Sequence, residues 1–206
     1  MMQKKWAFTL AEVMITMTIV GVVAALTIPT LNYNRVKKEY SAKLKNFYSK
    51  MDNAVLDMQM DKGSFKDMIL PTQGNGFDWY MENIDPYMGH QFVDTATKQV
   101  YYKDGSKLGT FFTGGCLDVI YDVNGDKSPN SEGYDQYRFL YCFNKDGRRD
   151  YFGSEDIFFG VYGSGITSQA TSRQAMIDQC VNNRSSCTRL LQNDQWEFKS
   201  DYPIKF

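Results

Sequence analysis

The stretch at residues 7–29, AFTLAEVMITMTIVGVVAALTIP, contains a single charged residue, Glu12. About twenty apolar residues in a helix, at a rise of 1.5 Å each, are enough to cross a hydrocarbon core of about 30 Å. Lys4 and Lys5 precede the stretch, so its N-terminal side is expected to stay cytoplasmic while the rest of the chain is exported. The sequence therefore predicts a membrane-spanning helix followed by an extracytoplasmic domain.

A secretory signal peptide is one alternative for this stretch, but its cleavage site would follow the apolar residues. That interpretation leaves Glu12 unexplained, because a carboxylate inside a membrane span costs on the order of 2–3 kcal/mol. Glu12 either lies close enough to the interface to remain hydrated or has a function that involves a partner. The residues around Glu12 favour a function.

Residues 7–12, Ala-Phe-Thr-Leu-Ala-Glu, resemble the processing site of type IV pilins and type II secretion pseudopilins. In that family a prepilin peptidase cuts just before the phenylalanine, the new N-terminus is methylated, and a glutamate lies four residues further on. The resemblance implies a cytoplasmic leader at residues 1–7, cleavage between Ala7 and Phe8, and Glu12 as the family's glutamate. Ala7 departs from the glycine that the family usually has before the cut.

The same resemblance implies how residues 8–30 act as an assembly helix. After cleavage, the Glu12 carboxylate can pair with the Phe8 amine of a neighbouring subunit, which neutralises two charges that are each costly in apolar surroundings. Gly21 and Pro29 match a mid-span glycine and a late proline that the family commonly has. Both weaken a helix, so the helix is expected to bend or open near Pro29.

The resemblance also implies partners and a location. The expected partners are other copies or related pilins, the prepilin peptidase, the inner-membrane assembly platform and the lipid bilayer. The chain is expected to cross the inner membrane once before assembly, with residues 63–206 on the extracytoplasmic side. After assembly it would belong to a cell-surface filament or a pseudopilus.

Beyond Pro29, apolar residues recur at helical spacing, which predicts an amphipathic continuation of the helix over residues 31–62 that ends near Gly63. The recurring residues are Val36, Tyr40, Leu44, Phe47, Tyr48, Met51, Val55 and Met58. A basic face follows the membrane segment, formed by Lys37, Lys38, Lys43 and Lys45. This face is either simply solvated or a contact for lipid headgroups.

Residues 63–206 are predicted to form one domain with a small antiparallel sheet. Alternation of apolar and polar residues and the turn signature Asp104-Gly105-Ser106 predict strands at residues 100–102, 109–112, 117–122 and 137–143. A short helix is expected at residues 77–81. The predicted fold class is therefore α+β and pilin-like, with a long N-terminal helix packed on the sheet.

The four cysteines all lie in this polar domain. An even number after a membrane segment fits disulfides in an oxidising compartment, whereas the absence of CxxC spacing argues against zinc. Four reduced, buried cysteines are the alternative. Pairing of two strands about a loop centred near Pro129 brings Cys116 opposite Cys142 and leaves Cys180 and Cys187 for a second disulfide. This connectivity is preferred among the three that four cysteines allow.

The loop at residues 122–135, DVNGDKSPNSEGYD, opens with oxygen-bearing side chains at alternate positions, as a calcium loop does. The candidate ligands are Asp122, Asn124, Asp126, Asn130 and Asp135, with a backbone carbonyl near Ser128. The loop is not an EF-hand, because Gly125 is not at the sixth position and Gly133 stands in place of the bidentate glutamate. Similar loops occur in pilin-like proteins, and some pseudopilins bind calcium. The alternative is a turn-rich loop whose Asx side chains cap their own backbone.

The formal net charge of −1 over 206 residues gives no basic footprint for nucleic acid. The sequence has no nucleophile elbow, phosphate loop or metal-histidine cluster, and its one histidine, His90, is isolated, so no enzymatic activity is predicted. The expected function is a structural subunit of a type IV pilus or type II secretion pseudopilus. The alternatives are a minor pilin that binds DNA or a surface ligand, with Arg148 and Arg149 in its loops, and a membrane-anchored extracytoplasmic enzyme or binding protein.

Overall fold

One helix, α1, spans Leu10–Lys62 and contains 53 residues, so it is about 80 Å long. The computed structural model describes residues 8–64, 68–113, 115–142, 158–163 and 172–206. The helix ends at Gly63, whose positive φ of 89° suits a residue without a side chain and whose N–H donates to the Gln59 carbonyl at 3.0 Å. The prediction of one long helix that ends at this glycine is confirmed.

The two halves of α1 differ in what covers them. Through Leu31 the described side chains are exposed, apart from a partly covered Ala24, and the helix is long and apolar enough there to cross a membrane, by length and composition. The second half presents a stripe of buried residues to the domain: Tyr40, Leu44, Phe47, Met51, Ala54, Val55 and Met58. Val36 and Tyr48 pack beside this stripe, which confirms the predicted amphipathic face.

The helix runs through Pro29 without interruption. Proline has no N–H, so the Ala25 carbonyl has no donor one turn later. Even so, the expected opening of the helix at this proline is not observed. The exposed apolar half of α1 and the half that packs on the domain are therefore one continuous helix.

A sheet of six strands packs against the second half of α1 in the described part of the chain. The strands are β1 (Phe92–Asp94), β2 (Gln99–Tyr101), β3 (Lys107–Phe112), β4 (Cys116–Asp122), β5 (Gln136–Cys142) and β6 (Phe159–Val161). They follow one another in space in chain order, and each neighbouring pair is antiparallel. The α+β, pilin-like fold class is confirmed.

Aromatic rings join α1 to the sheet. The Phe47 ring lies flat on the Tyr121 ring of β4, with centroids 3.8 Å apart and planes 11° apart, and 5.1 Å from the Phe139 ring of β5. The next residue of α1, Tyr48, packs on Trp196, with ring centroids 5.1 Å apart. Alternating residues of the central strands thus face the helix, as period-2 patterning requires.

In the described residues, the domain also contains four short α-helices and a 3-10 turn. They are α2 (Gly76–Asn83), α3 (Asp85–Met88), α4 (Arg173–Asn182), the 3-10 turn (Arg184–Ser186) and α5 (Cys187–Asn193). The helix α2 contains the one predicted at residues 77–81. The segment after α5 returns to the core, where Trp196 and Tyr202 are buried.

Both disulfides have the predicted pairing. Cys116 and Cys142 are direct partners in the β4–β5 register and are bonded. Cys180 of α4 is bonded to Cys187 at the start of α5, and both are fully buried. The second bond therefore clamps the two helices around the short 3-10 turn.

Candidate assembly site and calcium loop

The start of α1 is a reciprocal cap between Thr9 and Glu12. The Glu12 carboxylate accepts hydrogen bonds from the Thr9 backbone N–H and from the Thr9 hydroxyl, each at 2.8 Å. In return, Thr9 Oγ1 accepts from the Glu12 N–H at 3.3 Å. This capping box satisfies donors that have no partner within the helix. It also gives the carboxylate hydrogen-bond donors within its own subunit.

Around this cap the helix is an exposed apolar cylinder. Phe8 is 87% exposed, and the polar side chains further along bond to their own helix. Threonine hydroxyls donate to carbonyls about one turn earlier: Thr16 to Glu12 and Val13, Thr18 to Met14, and Thr27 to Val23. A helix whose polar side chains are satisfied internally suits lipid or an apolar filament core.

Gly21 and Pro29 lie within this exposed half. A β-carbon built on Gly21 would meet no atom within 4 Å, so nothing inside the described subunit requires a glycine there. Its bare backbone is a surface that a neighbouring helix can approach closely. Ala7, the predicted residue before the cut, lies outside the described residues.

The loop between β4 and β5 brings two carboxylates inside the protein. Asp122 is 2% exposed and Asp135 is fully buried. Asp135 accepts from the backbone N–H groups of Asn130 and Ser131, at 2.9 and 2.6 Å. Burial raises the pKa of the Asp122 carboxyl to about 6, and the charge of Asp135 acts in the same direction.

The side-chain amides of Asn124 and Asn130 lie at these carboxylates. Asn124 Nδ2 donates to Asp135 Oδ2 at 3.2 Å, whereas Asn124 Oδ1 is buried and accepts no hydrogen bond from the described residues. Turned nitrogen inward, the Asn130 amide donates to Asp122 Oδ2 at 2.9 Å and to the Gly125 carbonyl at 3.1 Å. In the opposite orientation, Asn130 Oδ1 faces Asp122 Oδ2 and the Gly125 carbonyl oxygen. A cation would stabilise this arrangement of three oxygens.

Asp126, also predicted as a ligand, points away from this cluster. Its carboxylate accepts from Lys107 Nζ at 2.7 Å and from the Tyr101 hydroxyl at 3.2 Å. Across the described residues, no group of three or more His, Cys, Asp and Glu side chains could hold a metal ion. An ion in this loop would therefore need amide and carbonyl oxygens beside the two carboxylates.

Part of the loop also behaves as an ordinary Asx turn. The Asn124 N–H donates to Asp122 Oδ1 at 3.2 Å, which is the alternative that the sequence left open. Gln136 Nε2 adds a donor to Asp122 Oδ2 at 3.0 Å. The oxygens of the buried cluster are thus partly satisfied by the protein itself, and the all-oxygen donor set has the chemistry of a calcium ligand set.

Two residues of α1 hold this loop against the helix. Lys43 Nζ donates to the Val123 carbonyl at 2.8 Å and pairs with Glu39 at 3.3 Å. Asn124 Nδ2 lies 3.0 Å from the Tyr40 hydroxyl. Lys43 was predicted to lie on the basic face of the helix. The structure places it in the contact between α1 and the β4–β5 loop.

Comparisons with known proteins agree with both parts of the molecule. Residues 30–206 match a family of unknown function, DUF6613. The chain belongs to this family. Residues 3–28 match the prokaryotic N-terminal methylation motif, the signature of type IV pilins and pseudopilins. No curated protein and no solved structure matches the chain.

The DUF6613 domain of this chain is thus carried on a pilin-type helix, which makes the protein type IV pilin-like or pseudopilin-like. Motif and fold both indicate a structural rather than a catalytic protein. His90, the one histidine of the sequence, lies with its Nδ1 2.6 Å from Asp85 Oδ2 at the start of α3. Burial raises the pKa of Asp85, and the hydrogen bond to His90 opposes this shift.

Sequence reasoning did not find the residues that connect the loop to the helix. Tyr40 and Lys43 lie 84 and 80 positions before their loop partners, and no local pattern links such distant residues. The helical spacing of Tyr40 was a signal for burial only, and the charge of Lys43 suggested a solvated position.

Proposed function

We propose that this DUF6613 protein is a structural subunit of a type IV pilus or a type II secretion pseudopilus, cut by a prepilin peptidase between Ala7 and Phe8. The observation that carries the proposal is the capped Glu12 at the start of an exposed apolar half-helix that continues into a folded domain. An anchor needs only the apolar residues. A carboxylate near the start of the span can pair with a positive group of a neighbouring helix when such helices pack on one another.

Assembly proceeds in four steps: membrane insertion, cleavage, extraction and helical packing. Before assembly, Glu12 keeps the two donors of Thr9. After cleavage, Phe8 carries a positive amine, which can pair with the Glu12 carboxylate of the next subunit. The pair forms at one axial offset between helices, so it sets their register while it neutralises both charges. The assembly platform of the inner membrane and related pilins are the partners.

The processing step is tested by mass spectrometry of the N-terminus in the host membrane. The proposal expects a chain that begins at a methylated Phe8. An intact leader, or a cut beyond residue 28, would overturn it.

The assembly step is tested with Glu12→Ala. Membrane insertion should persist because the span becomes more apolar, whereas filament yield in a sheared preparation should fall strongly. Thr16→Ala is the matched control: among the described residues the Thr16 hydroxyl bonds only to its own helix, so its loss should leave the yield unchanged. Normal yield from Glu12→Ala would contradict the proposed role.

The alternatives make different predictions about abundance. A minor pilin that binds DNA or a surface ligand would be scarce in sheared filaments, and a membrane-anchored binding protein would be missing from them. A major subunit would dominate the preparation. Arg148 and Arg149, which the DNA-binding alternative uses, lie outside the described residues.

Calcium in the β4–β5 loop forms a second part of the proposal. Asp122, Asn124, Asn130 and Asp135 would hold the ion, with the Gly125 carbonyl beside them, and Asp126 would not. The buried Asn124 oxygen without a donor supports this set. A bound ion would supply charge compensation to the two buried carboxylates and fix the loop on α1.

Thermal unfolding of the full chain in detergent, with calcium and with a chelator, tests this set. Wild type and Asp126→Asn should both be stabilised by calcium, whereas Asp135→Asn should lose the calcium response. Magnesium should act weakly, since it prefers a smaller octahedral site. An equal calcium response in wild type and Asp135→Asn, or no response in wild type, would refute calcium binding here.

A further inference from the structure

The continuity of α1 fixes the height of the residues that follow its apolar half. With residues 8–28 inside the hydrocarbon core, as the proposed function requires, residues 31–38 lie about 5–15 Å beyond it. The polar headgroup layer is about 5–8 Å deep on each side. Side chains on a helix tilt toward its N-terminus, so long cationic side chains just above this layer reach back into it. Because the helix is unbroken from Leu10 to Lys62, these residues cannot move away from the membrane surface while the subunit remains inserted upright.

Three cations lie on one side of the helix near this height, within an arc of about 160°. Arg35 and Lys38 are exposed and Lys37 is partly covered. Successive helical residues point about 100° apart, so the three side chains leave the helix in different directions. We name Arg35, Lys37 and Lys38 the basic collar.

The basic collar has little acidic compensation. Within the described residues none of its members forms an ion pair, and Arg35 donates only to the neutral Asn32 Oδ1, at 3.2 Å. The nearby Glu39 is already paired with Lys43. Lys205 adds an exposed cation beside Phe206, whose ring packs on Tyr33 at 6.1 Å.

Aromatic rings lie at the same height as the collar. Lys37 Nζ sits 4.3 Å from the Tyr33 ring centroid and 5.7 Å from that of Phe206. Tyrosine rings and long cationic side chains are the residues that settle at the boundary between hydrocarbon and headgroups. The position, the uncompensated charge and the aromatic neighbours all fit a phospholipid surface.

We infer that the basic collar binds anionic phospholipid headgroups of the leaflet from which the domain emerges, and so seats the DUF6613 domain on the membrane before assembly. This inference rests on the proposed membrane anchoring. On extraction into a filament the basic collar would exchange lipid phosphates for other contacts. The fraction of anionic lipid would therefore affect the equilibrium between inserted and assembled subunits.

The experiment captures full-length protein from membranes in polymer nanodiscs and measures the ratio of phosphatidylglycerol to zwitterionic lipid that copurifies. Wild type should show a several-fold enrichment of phosphatidylglycerol that falls at high salt. The triple variant R35Q/K37Q/K38Q should bring the ratio back to that of the bulk membrane. The control K45Q/K50Q/K103Q removes the same charge at exposed positions farther from the span and should keep the enrichment.

A charge-preserving variant, R35K/K37R/K38R, should also retain the enrichment, and a melting curve of each variant checks that the domain is folded. Equal ratios for wild type and R35Q/K37Q/K38Q would overturn the inference, as would an equal loss in the control. Carbonate extraction distinguishes a failure of the proposed membrane anchoring from a failure of lipid binding by the basic collar. A chain released by carbonate contradicts membrane anchoring itself, whereas a retained chain without lipid enrichment contradicts only the collar.

Discussion

Thr9 and Glu12 satisfy each other at the start of α1, with two hydrogen bonds from Thr9 to the carboxylate at 2.8 Å and one from the Glu12 N–H to the Thr9 hydroxyl. The carboxylate to which we assign a role in assembly therefore already accepts hydrogen bonds within its own chain. Pairing with a neighbouring Phe8 amine must compete with, or add to, these bonds.

Loss of the Thr9 hydroxyl should have a smaller effect than loss of the carboxylate. Thr9→Ala keeps the backbone donor to Glu12 but removes the cap, at a cost of about 1 kcal/mol to the helix start. We expect filament yield to fall, but less than for Glu12→Ala. Quantitative immunoblots of sheared filaments measure this, with Thr18→Ala as the control because its hydroxyl bonds only to Met14. A yield as low as that of Glu12→Ala would give the hydroxyl a direct role in assembly.

The two disulfides should differ in their contribution to stability. The Cys116–Cys142 bond closes a segment with a sequence separation of 26 residues, against 7 for Cys180–Cys187. Loop-closure entropy then predicts losses of about 3–4 and about 2 kcal/mol when each pair is replaced by alanine. Denaturant unfolding of the two double variants gives the comparison. A larger loss from the shorter loop would show that packing between α4 and α5 outweighs chain entropy there.

The contact between α1 and the sheet should depend on Phe47. Its ring is 3% exposed and stacks on Tyr121, so Phe47→Ala should lower the free energy of unfolding by about 3–5 kcal/mol. Leu56 lies on the same helix with 54% of its surface exposed, and Leu56→Ala should change stability by less than about 0.5 kcal/mol. Chemical denaturation of both variants tests the difference. Similar values would mean that α1 and the sheet unfold independently.

Much of this fold can be predicted from the sequence, because helical spacing and strand alternation are local, periodic patterns of apolar residues. The apolar stripe of α1 follows helical spacing from Val36 to Met58, and two alternating strands around one loop place Cys116 opposite Cys142. The three-residue strands β1 and β6 were not predicted, because neither borders a turn signature such as the one that locates the equally short β2. Their existence depends on the longer strands beside them.

The candidate site is less predictable because its geometry depends on where each side chain points. Spacing alone groups Asp126 with Asp122 and Asn124, but the turn at Gly125 directs the Asp126 side chain to Lys107 on β3. Lys43 likewise reads as part of a solvated basic face until the sheet brings the Val123 carbonyl to it. Both corrections come from contacts between elements that are far apart in sequence.

The buried Asp122 carboxyl makes a prediction about acidity. Its pKa in the folded protein is about 6, above its ordinary value of 3.8, mainly because of burial. The folded state therefore binds the proton more tightly than the unfolded state. The stability that this group contributes is full below about pH 4 and is lost as the pH rises through about 6. In chelator, the stability difference between wild type and Asp122→Asn should change across this range and be flat above it.

Asp126→Asn is the control, since the pKa of Asp126 is lowered by Lys107, and the change in stability between pH 4 and 6 should remain in that variant. Bound calcium, if the loop holds it, should offset the loss near neutral pH. A stability difference for Asp122→Asn that does not vary with pH would show that this carboxyl titrates normally in the folded protein.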